Sequence, residues 1–143
     1  NMINKWDVRF IKMAALVSTW PKDPSTKVGS VIADKHNRVI SVGYNGFPQN
    51  VWDDQRLEDR ETKYDIVVHA EANALMFAQR NLDGFTLYTY PFEPCPRCAG
   101  LIIQSGIKRV VSLKNVNERW EKDFMISRSL FAEANISMEY CYV

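Results

Sequence analysis

The sequence predicts an α/β protein in three layers, with helices on both faces of a central, mixed sheet of about five strands. Three observations predict it. Helical and strand periodicities alternate along the chain, an early pair of β-branched runs is separated by a short polar turn, and the chemistry-bearing segments fall at helix starts. In layered α/β proteins ligand sites gather at strand ends and helix N-termini, so the predicted architecture also predicts where to look.

Each element has a local reason. From Asn4 to about Trp20, Trp6, Phe10, Met13, Ala14 and Val17 recur at helical spacing, and Pro21 and Pro24 end the segment. Val28–Ile32 and Val39–Gly43 flank the turn Asp34-Lys35-His36-Asn37-Arg38 and read as a hairpin. Asn45 to about Asp65 carries Gly46, Pro48, Asn50 and many charges, which predicts a functional loop over the sheet edge with room for a short helical turn. His69–Gln79 is helical in pattern, with Asn81–Gly84 as its stop. Phe85–Tyr90 then reads as a strand, Pro94–Ser105 as a helix stopped by Gly106, and Ile107–Leu113 as a strand. Glu121–Ala134 is predicted as the last helix and Ile136–Tyr142 as the closing strand.

The 143 residues, 46% hydrophobic and 24% charged, fit one domain spanning 1–143. A chain of this size buries roughly two thirds of its unfolded surface, so the fold itself needs no disulfide or structural metal. A formal net charge of +1 argues against a protein built to track a long nucleic acid, and leaves a small anionic ligand open. Cys95 and Cys98 form a close pair with Cys141 left over, which reads as a reduced, cytoplasmic setting rather than a disulfide framework. No apolar run is long enough to span a bilayer, so no membrane partner is expected. Asn1, ahead of Met2, is expected to carry no function, Cys141 to be a buried thiol, His36 a solvated turn residue, and the four tryptophans core and interface anchors.

The chemistry concentrates in His69-Ala70-Glu71 and in Pro94-Cys95-Pro96-Arg97-Cys98. One imidazole and two thiolates make three ligands, and three with an open fourth place is the pattern of catalytic rather than structural zinc. Helix starts suit them, because free N–H groups and the positive dipole end stabilise thiolates. Zinc lowers the pKa of bound water from about 15.7 to about 7, worth roughly 12 kcal/mol of hydroxide stabilisation. Glu71, two residues past His69, can face that water without binding the metal, take its proton and pass it to a substrate ring. A lone C-x-x-C could instead be a redox pair or half a zinc ribbon, but no second pair and no thioredoxin-like flank accompany it. H-x-E followed by P-C-x-x-C is a known signature of zinc nucleobase deaminases.

Asp23-Pro24-Ser25-Thr26-Lys27-Val28-Gly29, Gly43-Tyr44-Asn45-Gly46-Phe47-Pro48, Glu61-Thr62-Lys63-Tyr64, His69-Ala70-Glu71-Ala72-Asn73-Ala74 and Pro94-Cys95-Pro96-Arg97-Cys98-Ala99-Gly100 together resemble the deoxycytidylate (dCMP) deaminase family over nearly the whole chain. The resemblance implies a cytidine-deaminase fold, hydrolysis of dCMP to dUMP and ammonia, and a homo-oligomer, often a hexamer. It further implies activation by dCTP and inhibition by dTTP, with magnesium as a companion of the effector triphosphate. Carried over residue by residue, His69, Cys95 and Cys98 match the zinc ligands and Glu71 the proton donor. Asn45 matches the sugar-hydroxyl position, and Ala70 and Pro94 adjoin the base. Gly43-Tyr44-Asn45-Gly46 resembles the effector motif, with Lys27 and Arg80 as further effector candidates; a plain turn is the other reading of that loop.

Two departures stand out: Tyr90-Pro91-Phe92-Glu93 is one residue longer than the usual segment, and Ala72 stands where leucine is common. The loop has no extra cysteine or histidine, so one zinc per subunit is expected. Lys27, Arg60, Lys63, Arg97 and Lys114 are all candidates for the 5′-phosphate, with solvated surface charge the default for each. A tRNA-editing adenosine deaminase shares the constellation, but the near-neutral charge, the Gly43–Pro48 text and Asn73 disfavour it. A riboflavin-pathway deaminase spaces its cysteines farther apart. A nucleotide-binding module without catalysis stays open, with the intact Glu71 against it.

Overall fold

In a computed structural model of the chain, which describes residues 2–143 and so leaves Asn1 outside, four of five helices pack on a five-stranded sheet, and the other, a short one, lies against a 3-10 turn. The first helix, α1 (Lys5–Val17), starts at a reciprocal cap: Asn4 Oδ1 accepts from the N–H groups of Trp6 and Asp7, and Asp7 Oδ2 accepts from Asn4 N–H. It stops short of the expected Trp20, because Ser18 Oγ turns back to donate to Ala15 O. Gly29, opening β1 (Gly29–Ala33), lets that last turn press against the sheet; a Cβ there would meet Ala14 O at 2.1 Å.

β1 pairs antiparallel with β2 (Val39–Tyr44) on one side and with β3 (Thr86–Tyr90) on the other. β3 then pairs parallel with β4 (Arg109–Leu113), and β4 with β5 (Ser137–Cys141), giving the mixed order β2-β1-β3-β4-β5. Strand alternation divides the core. Val31, Ala33, Tyr88, Val111 and Cys141 face α1 through Phe10, Ile11 and Ala14. Ile32, Leu87 and Val110 face the other side, against Ala74 of α3 (Ala70–Ala78), Ala99 and Ile102 of α4 (Pro96–Ser105) and Phe131 of α5 (Glu121–Glu133). The three-layer α/β/α prediction therefore holds, and so does the burial of Cys141. Among the described residues, no helix is long and apolar enough to cross a membrane.

Two expectations are corrected. The 45–65 stretch is more ordered than a loop: it holds a short 3-10 turn at Gln55–Glu58 and α2 (Arg60–Ile66). The charges that masked periodicity are the caps, Asp54 accepting from Arg56 N–H and Asp59 from Thr62 N–H. None of the tryptophans is a core residue: Trp6, Trp20 and Trp52 are exposed and Trp120 is half-buried, the core being filled by aliphatics and phenylalanines.

Candidate metal and catalytic centre

Two helix starts converge beside β2 and β3. His69 is the N-cap of α3 in extended conformation, and Cys95 is the extended N-cap of α4, with Pro96 in the first turn where its missing N–H costs nothing. Each ligand thus sits at or just before the helix it was expected to open. Cys98 follows within the first turn of α4, buried.

His69 Nδ1 lies 3.5 Å from Cys95 Sγ and 3.4 Å from Cys98 Sγ, and the three ligand atoms all lie within 4.8 Å of one another. With zinc–sulfur bonds of about 2.3 Å and a zinc–nitrogen bond of about 2.0 Å, a tetrahedral angle puts nitrogen and sulfur about 3.5 Å apart. The chain's own spacing therefore fits one tetrahedral zinc with its fourth place free. Cys98 forms the buried floor and His69 the exposed rim, so that free place has a route to solvent.

The electrostatics suit the same purpose. In the absence of a metal's charge, the hydrogen bond with Cys98, aided by His69, holds the Cys95 thiol down to about 4, while the bond with Cys95 and burial push Cys98 far up. The pair thus carries one negative charge, and the Cys95 thiolate raises His69. Glu71, in the first turn of α3 and 5% exposed, has its carboxyl pushed up to about 7 by burial. A group with that pKa is able to accept and release a proton near neutrality.

Neighbouring segments hold this centre. Gly46 and Val68 form an isolated antiparallel bridge, Gly46 N–H donating to Val68 O and Val68 N–H to Gly46 O, directly before His69. Asn73 Nδ2 donates to Tyr44 O. Asn45 is buried; its Oδ1 accepts from Val28 N–H at 2.7 Å and its Nδ2 donates to Thr26 O at 2.9 Å. One lone pair and one proton of its amide remain for a ligand. Ala70 and Pro94 are buried beside the two ligand segments.

The effector candidates separate. Gly43, Tyr44 and Gly46 lie beside the start of α3, while Asn45 reaches Thr26 and Val28 on either side of Lys27, whose Nζ donates to Pro21 O. Arg80 lies beyond the other end of that helix, stacked on Phe85 and bordering a depression with Asp34, Lys35, His36 and Arg38. Gly43 has a packing reason of its own: a Cβ would meet Ala70 O at 2.3 Å and Ala74 N at 2.4 Å. Among the phosphate candidates, Lys63 is buried on Asp23 and Ser25, whereas Arg60, Arg97 and Lys114 are exposed. His36 is an exposed turn residue, as expected. Sequence reading passed over the Asp23–Lys63 pair, although Asp-Pro-Ser-Thr carries the signal of a side-chain turn, with Asp23 Oδ1 accepting from Ser25 and Thr26 N–H. It also missed Glu93, which Arg128 and Tyr140 hold; nothing in the sequence ties residues so far apart.

Comparison with known proteins agrees with this geometry. Residues 4–114 match the family described as cytidine and deoxycytidylate deaminase zinc-binding region. The chain is 44% identical over 142 residues to an uncharacterized deaminase from the luxG 3′ region of Aliivibrio fischeri, covering 97% of this chain and 95% of that one. It is 37% identical over 118 residues to the human protein named deoxycytidylate deaminase, covering 78% of this chain and 66% of the human one. The crystal structure of the cyanophage S-TIM5 dCMP deaminase in complex with dCMP and dUMP superposes with a TM-score of 0.81 at 25% identity, over 99% of this chain and 100% of that one.

Proposed function

This chain belongs to the cytidine and deoxycytidylate deaminase family, and on that premise we propose that it hydrolyses dCMP to dUMP and ammonia. The observation that carries the reading is the tetrahedral spacing of His69, Cys95 and Cys98 beside a buried carboxyl whose pKa is about 7. The substrate choice is supported by the human relative's name and by the ligands of the cyanophage structure.

His69, Cys95 and Cys98 would hold one zinc, which when bound supplies Lewis acidity and an acidified water. Glu71 takes the proton of the attacking water, which its raised pKa permits near pH 7, and returns it to the ring nitrogen and then to the departing amine. Ala70 and Pro94 wall the base. Asn45, already fixed at both ends of its amide, offers its remaining proton and lone pair to the sugar hydroxyl without first having to be ordered. The test is ultraviolet absorbance with dCMP, dCTP, deoxycytidine and an adenosine-bearing RNA stem-loop offered separately. Fastest turnover of dCMP is expected; faster turnover of the stem-loop overturns the substrate, and no turnover of any leaves a binding module.

Regulation and assembly belong to the same reading. The Gly43–Gly46 segment, with Lys27 alongside, supports an effector site where dCTP activates and dTTP with magnesium inhibits; flat rates across both nucleotides overturn it. A homo-oligomer, a hexamer by resemblance, is supported by exposed Leu16, Trp20, Met76, Phe77, Leu101 and Met125. Sedimentation as a single 16.5 kDa subunit overturns it. Three unpaired cysteines, two of them needed as thiolates, suit a reducing cytoplasmic setting.

A further inference from the structure

The segment Tyr90-Pro91-Phe92-Glu93 is the lead-in to Cys95, and it is fixed along its length. Asn115 Nδ2 donates to Pro91 O at 3.2 Å, and Thr89 Oγ1 donates to Phe92 O at 3.2 Å. The Glu93 carboxylate, 6% exposed, takes the most contacts: Arg128 Nε donates to Oε1 at 2.8 Å, Arg128 Nη2 donates to Oε2, and Tyr140 Oη donates to Oε1 at 2.7 Å. Arg128 is itself held, its Nη1 donating to Glu121 at 2.8 Å.

These partners come from elsewhere in the fold. Arg128 lies on α5 and Tyr140 on β5, the edge strand farthest from β2, so a carboxylate two residues before a candidate metal ligand is fastened to the far edge of the sheet. Cys95, the N-cap of α4, makes no cap hydrogen bond to the helix's first turn with its own side chain. A buried carboxylate is a costly way to hold a loop unless each lone pair is engaged, and a two-pronged guanidinium with a phenol fixes both its position and its orientation.

We propose that Glu93, Arg128 and Tyr140 are positioning residues for the centre: they fix the lead-in, and through it where Cys95 Sγ lies and how Pro94 walls the pocket. The inference rests on the zinc deaminase reading. Partners that orient metal ligands at one remove commonly change metal affinity or activity by about 10–100-fold when lost. A carboxamide in place of the carboxylate sets an NH2 against one arm of Arg128, which disturbs orientation while keeping the volume.

The experiment compares wild type with Glu93→Gln and Tyr140→Phe by three readouts: zinc release to a chromogenic chelator, kcat and KM for dCMP, and the unfolding midpoint of each metal-loaded protein. Glu93→Gln should release zinc about tenfold faster and lose kcat by a similar factor, while still unfolding well above the assay temperature. Tyr140→Phe, which removes a single donor and serves if the first variant does not fold, should show the same two effects at about threefold. Zinc release and kcat both equal to wild type in a folded variant overturn the proposal, whether or not the midpoint falls. If wild type itself fails to turn over dCMP, the functional reading fails, and the zinc-release comparison still decides the positioning role.

Discussion

Lys63 Nζ donates to Asp23 Oδ1 across 3.0 Å and to Ser25 Oγ across 2.8 Å, joining α2 to the segment that Asn45 clamps at Thr26 and Val28. Both side chains of the pair are buried, at 7% and 3% exposure. Lys63 lies six positions before His69, so this ion pair fixes the chain on its way into the candidate metal centre and joins the two segments beside it.

Removing one member of such a pair strands the other. Lys63→Met leaves the Asp23 carboxylate buried without its cation, and a loss of about 3–5 kcal/mol is expected at pH 7. Burial alone raises the pKa of Asp23, but the N–H groups of Ser25 and Thr26 and the Lys63 ammonium outweigh it and hold the carboxyl below its usual range. A depressed native pKa gives stability that is full above the unfolded value of about 3.9 and lost as pH falls through the native one. The deficit of Lys63→Met should therefore be largest at neutral pH and shrink below about pH 4, where the lone carboxyl protonates. Denaturant titrations at pH 7 and pH 3.5 check this, and equal deficits at both would count against it.

Two glycines in one motif should behave differently. A methyl group at position 43 collides with the backbone of α3 at Ala70 and Ala74, and backbone cannot rotate away. Gly43→Ala should cost about 1–3 kcal/mol, the range of overpacking, and shift the helix that carries His69 and Glu71, lowering zinc affinity. At Gly46 nothing lies within 4 Å of the added carbon, so Gly46→Ala should keep both stability and zinc. Equal thermal midpoints for the two variants would mean that the strand-to-helix approach is not what position 43 requires.

The layers, the strand count and the gathering of His69, Cys95 and Cys98 were legible in the sequence because each is written locally. Alternation puts Ile32, Leu87 and Val110 on one face and Val31, Tyr88 and Val111 on the other, and the C-x-x-C spacing places both sulfurs within one helical turn. The 45–65 region was not legible, since Asp54 and Asp59 act there as caps while their charges read as loop. The tryptophans misled for the opposite reason: bulk predicts burial, but small and branched residues such as Ala99 and Val110 fill the closely spaced layers. Asp23–Lys63 and Glu93–Arg128 pair residues 40 and 35 positions apart, and no periodicity records a partner at that distance.

The core should outlast the metal. Both hydrophobic clusters are built without His69, Cys95 and Cys98, so stripping zinc with a chelator should abolish turnover while leaving the far-ultraviolet circular dichroism in place. Restoring zinc should restore turnover. Cys95→Ala should lose metal and activity together and still fold. Loss of helical signal on chelation would show that the metal holds up the fold, as in a structural site.

Glu71 gives the most demanding prediction, because its proposed catalytic use and its cost to folding come from the same burial. Glu71→Gln keeps the shape and the three ligands but cannot carry a proton, so zinc content should match wild type while kcat falls by about 10²–10⁴. Burial raises the carboxyl from 4.5 to about 7, so above pH 7 the metal-free fold holds a charge that the unfolded chain would leave in water. That difference corresponds to about 3 kcal/mol at 1.36 kcal/mol per unit. Raising the pKa of an acid makes the native state bind the proton more tightly, so this penalty is full above about pH 7 and gone below about pH 4.5. Metal-free Glu71→Gln should therefore be more stable than metal-free wild type at pH 8, with the advantage disappearing as pH falls through that window. Denaturant unfolding of both metal-free proteins at pH 8 and pH 4.5, beside kcat of the zinc-loaded forms, tests the two halves separately. Turnover near wild type removes Glu71 from the proton path, and an advantage that does not change with pH removes its buried charge as the cause.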